Sequence, residues 1–266
     1  MSMMGMTLVL ISIYFATIFF MLTFLERSNT RIGNAIFIVI NIIVFWGLNM
    51  CYYKPEQQNF RFLVFDNISP FTFTFMPFLV LFKGKVAEFF KSAIAFLSVG
   101  MIVAMMITPQ YAYLYNFNNT AGLDYLLDAL CHLNCSLFGI YLVLTGQVRL
   151  KYKSFVRAVI FMYSAITLVV VMNHLYGTNF FGMCPYGGYS IYMFNLFEDY
   201  WATLLAYYVG VLLVLYLGFE FNLGLNKLGG HTLAFVHDEN CVSIFDNESG
   251  KITWKSFKEA VINVFK

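Results

Sequence analysis

Asp124, Asp128, His132 and Ser136 recur every fourth residue in "DYLLDALCHLNCS" (124–136), within an otherwise apolar stretch. Residues at i and i+4 share one face of a helix, drifting by about 40° per step. Two carboxylates, an imidazole and a hydroxyl would then form one narrow stripe. An imidazole bonded to a carboxylate one turn away is held in one tautomer and made more basic. With Cys135 or a hydroxyl from another segment as nucleophile, that stripe could carry acyl-transfer or hydrolytic chemistry. The plainer reading is a buried histidine satisfied by Asp128, fastening helices together. No metal or cofactor is expected. "CHLNC" has the order Cys-His-x-x-Cys rather than the Cys-x-x-Cys-His of a c-type haem site. Adjacent Cys131 and His132 also point about 100° apart on a helix.

The element that positions this stripe belongs in a membrane. The 266 residues are 60% hydrophobic and 11% charged, with a mean hydropathy of +0.72. A soluble domain carries about 25% charged residues, so an ordinary soluble enzyme is excluded. The net charge of +2 gives no reason to expect nucleic acid as a partner; the expected partner is membrane lipid. Apolar runs of spanning length fall at 6–25, 33–53, 63–82, 88–107, 123–145, 155–175 and 198–219. The first is too long for a signal-peptide core and lacks a basic leader, so it reads as a retained span. The third contains Asp66, Asn67, Pro70 and Pro77 and is the one expected to be kinked or broken.

Charge placement sets the expected orientation. Arg27 and Arg31 follow the first span, and Lys83, Lys85 and Lys91 follow the third. Arg149, Lys151, Lys153 and Arg157 separate the fifth from the sixth, whereas 108–122 and 176–197 carry no Lys or Arg and only Lys54 and Arg61 lie on that side. The positive-inside rule then puts the N-terminus outside and the C-terminus inside. The expected fold is an all-α polytopic bundle of about seven transmembrane helices over 1–225, multi-pass in the cell membrane. A small cytosolic α+β tail follows over 226–266: "HTLAFV" and "CVSIFD" read as strands and "KITWKSFKEAVINVF" as a helix.

In this frame His132 lies about 13 Å below the outer end of its span, near mid-membrane. A polar stripe at that depth must face other helices or a wet cavity. Thr72 and Thr74 of the third span sit at nearly the same depth. Asn173, His174, Thr178 and Asn179 close the sixth span, and Glu198 opens the seventh. Polarity thus gathers in the outer half, which predicts an outward-opening cavity floored near His132. Asp124, Cys135, Ser136, Asn173, His174, Thr178, Asn179 and Glu198 are its candidate lining, and Asp128, His132, Thr72 and Thr74 its candidate catalytic groups. The Gly177 turn has a plainer reading as a helix cap.

The segment from "LCHLNCS" through "KYKSFVRAVI" to "LYGTNFF" resembles the YwaF-like integral membrane family, which includes animal transmembrane protein 164. Its features are a buried His (His132), a basic "KSFVRA" junction (153–158) and a Gly-Thr-Asn element (177–179). The resemblance implies a multi-helix membrane fold, a polar centre shared by His132, Thr178 and Asn179, and acyl transfer onto phospholipid with a lipid or acyl substrate. Where the family carries a His-Leu-Cys-like motif, this chain reads "SPFTFTF". A cysteine-acyl intermediate is then impossible there, and the resemblance leaves either a Thr nucleophile with His132 as base or loss of the activity. Three functions stay open: a lipid acyltransferase or hydrolase, a transporter or substrate-binding membrane subunit, and a non-catalytic scaffold.

Overall fold

The computed structural model describes residues 3–24, 30–51, 68–80, 84–107, 122–183 and 199–229. Seven α-helices form: α1 (Met3–Phe24), α2 (Thr30–Cys51), α3 (Ile68–Phe75), α4 (Gly84–Ile107), α5 (Leu123–Leu144), α6 (Tyr152–Tyr176) and α7 (Tyr200–Gly229). All except α3 are long and apolar enough to cross a membrane. A chain in hydrocarbon must pair its own backbone polar groups, and continuous helices do this within one segment. No strand occurs among the described residues. Of the expected tail over 226–266, residues 226–229 instead continue α7, and 230–266 lie outside the described residues, as do Asp66, Asn67, Lys83, Cys184 and Glu198.

Interhelical contacts fix the relative directions. Thr7 meets Tyr125 at 3.1 Å and Tyr14 meets Ser136 at 3.0 Å, so α1 runs parallel to α5. Asn34 pairs with Gln147, and Asn134 donates to the Phe37 carbonyl, so α2 is antiparallel to α5. Lys91 reaches Gln147 and Ser136 reaches the Ser98 carbonyl, so α4 is antiparallel to α5 too. It follows that α2 and α4 run the same way. Tyr163 bonds the Tyr208 carbonyl while His174 stacks on Trp201, making α6 and α7 antiparallel.

The third expected span is not a membrane-length helix. It is an eight-residue α-helix followed by a 3₁₀ turn over Met76–Val80. Pro70 sits in the first turn of α3, where a missing N–H costs nothing. Pro77 lies beyond the last α-helical residue, because proline lacks the donor that residue 73 would need and crowds its predecessor out of helix. Phe71 packs 5.9 Å from Phe181, just past the end of α6, and Phe75 packs 6.4 Å from Phe90, near the start of α4. The segment therefore packs against α6, the turn after it and α4.

Helices α4 and α5 form the centre, while α1, α2, α6 and α7 present apolar faces outward. Without a hydrophobic drive in lipid, such helices pack through small residues and hydrogen bonds. A Cβ on Gly139 would lie 2.6 Å from the Ile94 carbonyl oxygen, and one on Gly218 would lie 2.7 Å from the Phe96 carbonyl carbon. The backbones of α5 and α7 thus approach α4 closely enough to require glycine.

Candidate functional site

The α5 stripe forms, with a gradient of burial along it. Asp124 is exposed in the first turn, whereas Asp128, His132 and Ser136 are buried. His132 is 4% exposed. Its Nδ1 lies 2.9 Å from the Asp128 backbone carbonyl and 3.5 Å from Asp128 Oδ1. A carbonyl only accepts, so Nδ1 carries the proton and the neutral ring is the tautomer with unprotonated Nε2. The second carboxylate oxygen of Asp128, Oδ2, is buried with no hydrogen-bond partner.

Ser136 is the deepest member of the stripe. Its Oγ donates to the Ser98 carbonyl at 2.5 Å and lies 3.0 Å from Tyr14 Oη. With that one proton on the carbonyl, the phenol donates the second bond. Cys131 and Cys135 are fully buried free thiols on the neighbouring stripe. No group of three or more His, Cys, Asp or Glu side chains converges among the described residues.

The third segment brings a phenyl ring to the imidazole. Phe73 meets His132 edge-on at 5.0 Å, and Phe45 of α2 meets Phe73 at 5.9 Å. Thr72 and Thr74 flank Phe73, and each donates its hydroxyl to its own helix, at the Ile68 and Pro70 carbonyls, both at 2.8 Å. Asn41 was missing from the sequence-derived set, although it is fully buried. Its Nδ2 donates to the Phe73 carbonyl at 2.8 Å. That carbonyl is the one Pro77 leaves without an α-helical donor, so α2 supplies what the break removes. Asn49, two turns on, donates to the Phe45 carbonyl of its own helix. Both asparagines leave a buried, unpaired Oδ1.

The residues closing α6 build a turn rather than joining His132. Gly177 is the C-cap in left-handed conformation (φ 63°, ψ 23°), its N–H returning to the Asn173 carbonyl at 3.0 Å. The Asn173 side chain donates to the carbonyls of Phe180 and Met183. It accepts from the Phe180 N–H and the Thr178 hydroxyl, all within 3.0 Å. Asn179 is exposed, and His174 donates Nδ1–H to the Val170 carbonyl while stacking on Trp201. Asp199 caps α7 through the Ala202 N–H.

Two further polar groupings tie helices together. Asn34 and Gln147 exchange amide bonds at 2.9 Å each, with Lys91 on the same Gln147 oxygen. Asn222 bridges α7 to α4 through the Ala95 carbonyl and Ser98. In-phase asparagines in an apolar span were the available sequence signal for Asn34 and Asn41; Asn222 lies past the expected end of its span. Compared with known protein families, curated proteins and solved structures, the chain matches none.

Proposed function

We propose that this chain is a seven-pass membrane transporter or substrate-binding subunit whose ionisable centre is the Asp128–His132 pair. The observation that carries this reading is the buried Asp128 carboxylate, with one oxygen near His132 and the other unpaired. An unsatisfied acid in a membrane-embedded bundle is costly and marks a path for an ion, a proton or a substrate. The broken third segment lies directly against this pair, as discontinuous helices do in transporter sites.

The helix directions support seven passes. Because α2 and α4 run the same way, a return across the membrane between them is the reading these directions favour, with α3 and its 3₁₀ turn as part of it. Lys85, Arg149, Lys151 and Lys153 gather at the end where α4 and α6 begin, which supports that end as cytosolic and the N-terminus as external. His132 is closed off in this arrangement, so an outward cavity requires the third pass to move. The cell membrane is the proposed location.

A second reading keeps acyl transfer onto lipid, with the YwaF-like family as the proposed relation. One observation favours it: anchoring Nδ1 leaves Nε2 as the base. The committed hydroxyls of Thr72 and Thr74 weigh against it. The test is flux into proteoliposomes holding the full chain, Asp128→Asn or His132→Gln. Solute delivered intact, and lost in Asp128→Asn, supports transport. Lipid returned chemically changed, dependent on His132, overturns it in favour of the enzyme.

A further inference from the structure

We infer that Phe73 stands in for a ligand, and that the space it fills between α2 and α5 is the binding site of a neutral molecule carrying an aromatic ring and a primary amide. Phe73 is wholly buried, and both helices hold it. Asn41 Nδ2 of α2 donates to its carbonyl at 2.8 Å. Its ring lies 5.0 Å from the His132 imidazole of α5 and 5.9 Å from the Phe45 ring of α2, both in edge-to-face geometry. Asn41, Phe45 and His132 therefore converge on one residue, and all three are buried.

Phe73 can leave without taking the walls of the site with it. It belongs to an eight-residue helix that ends before Pro77. Thr72 and Thr74, on either side of it, spend their hydroxyls on carbonyls of α3 itself. Helices α2 and α5 are meanwhile joined directly. Asn134 Nδ2 reaches the Phe37 carbonyl at 3.0 Å, and the Phe37 ring packs on Phe138 and Tyr141. Withdrawal of α3 leaves those contacts in place and opens the Asn41 amide and the His132 ring to the same space.

Phe73 fills the ring position completely but the polar position only by half. Asn41 Nδ2 is engaged, while Oδ1 of the same amide is buried with no hydrogen-bond partner. In a trans peptide the N–H points away from the C=O, so the Phe73 backbone can offer Asn41 a carbonyl and nothing more. A primary amide carries an N–H on the same side as its carbonyl and completes both halves of Asn41 at once. An ester supplies the carbonyl alone. A carboxylate would bring a charge into a buried seat to which α3, residues 37–45 of α2 and all of α5 contribute no Lys or Arg. Phe45 and His132 take a flat ring through edge-to-face contacts. The smallest molecule with this pattern is 3-phenylpropanamide, whose ring, linking carbons and carbonyl follow in the order they have in Phe73.

This names a ligand class for the substrate-binding reading above and rests on it for its purpose, though not for its test. The full chain in detergent is titrated with 3-phenylpropanamide, methyl 3-phenylpropanoate or 3-phenylpropanoate while Tm is followed. The amide is expected to raise Tm saturably and to bind about tenfold more tightly than the ester, with no shift from the carboxylate. In Asn41→Leu the preference for amide over ester should fall to about one. Because the ligand displaces α3, saturating amide should also speed alkylation of the thiol in Thr72→Cys, a position 2% exposed, as mapped by peptide mass. The titration of the unaltered chain and the alkylation need no change at Asn41, so they decide even where Asn41→Leu fails to fold. Four results overturn the inference: no saturable shift with the amide, equal binding of amide and ester, a preference that survives Asn41→Leu, or alkylation that does not rise. Amide binding with these properties but no Asp128-dependent flux in liposomes sustains the site and removes transport. Asp128-dependent flux without amide binding does the reverse.

Discussion

Replacing Asn41 by Leu tests whether α2 compensates for Pro77. The side chains are close in volume, so packing changes little and the hydrogen bond dominates. Asn41 Nδ2 reaches the Phe73 carbonyl at 2.8 Å, and Phe73 is wholly buried. Losing that donor leaves a buried carbonyl unpaired, a cost of about 1–3 kcal/mol. Removing the unpaired Asn41 Oδ1 returns part of it, so the expected net loss is about 1–2 kcal/mol. Pro77→Ala restores an N–H four residues after Phe73. In that background Asn41→Leu should cost nearly nothing or stabilise slightly. The coupling energy between the two sites is then expected to be about 1–2 kcal/mol. Reversible unfolding in mixed micelles measures the four corners of the cycle. Additivity to within about 0.5 kcal/mol would refute the exchange of donors. Pro77→Ala should also reduce flux in proteoliposomes even though it folds, because it straightens the segment beside His132.

Asn173→Leu removes four hydrogen bonds around the 177–183 turn and should cost about 2–4 kcal/mol in the same unfolding assay; a loss under about 1 kcal/mol would mean the turn stands without it. Gly218→Ala forces α7 away from the α4 backbone and should cost about 1–3 kcal/mol. Gly224→Ala, with open space at its Cβ, should be neutral or stabilising by up to about 1 kcal/mol, and equal effects at both positions would refute the close-approach argument. Thr72→Val removes only a hydroxyl that bonds its own helix. It should leave flux unchanged, whereas a lipid-transfer activity lost in Thr72→Val but present in Thr72→Ser would establish the enzyme.

The four-residue period on α5 was legible because a buried helix shows its polar face as plain spacing. Burial along that face was not, and Asp124 is exposed simply because the helix starts there. The break in the third span could be read from Pro70 and Pro77. The partner of the freed carbonyl could not, since residue spacing within a span carries no information about which spans are neighbours. Asn41 became identifiable only once α2 was seen beside α3. The Gly177-Thr178-Asn179 element shows the opposite failure. Its residue types suited a polar centre, but local geometry uses them first: glycine for a left-handed cap, and Thr178 as a donor to Asn173. The orientation of Thr72 and Thr74 follows the same logic, because a helical threonine in an apolar setting bonds its own i−4 carbonyl when no stronger acceptor faces it.

The chain itself supplies a standard for judging the unpaired oxygens. Where a buried amide is structural, its hydrogens and lone pairs are used. Asn173 makes two donations and takes two, and even the half-buried Asn34 and Gln147 complete each other. Asn222 is intermediate: its nitrogen ties α7 to α4 through several acceptors, while its oxygen is unpaired. Elsewhere on α2 and α5 the pattern differs, since Asn41, Asn49 and Asp128 each leave a buried acceptor unused. Glue alone would not favour that arrangement, because an apolar residue of similar volume at Asn49 would spare the desolvation and lose only a bond whose carbonyl already belongs to a helix.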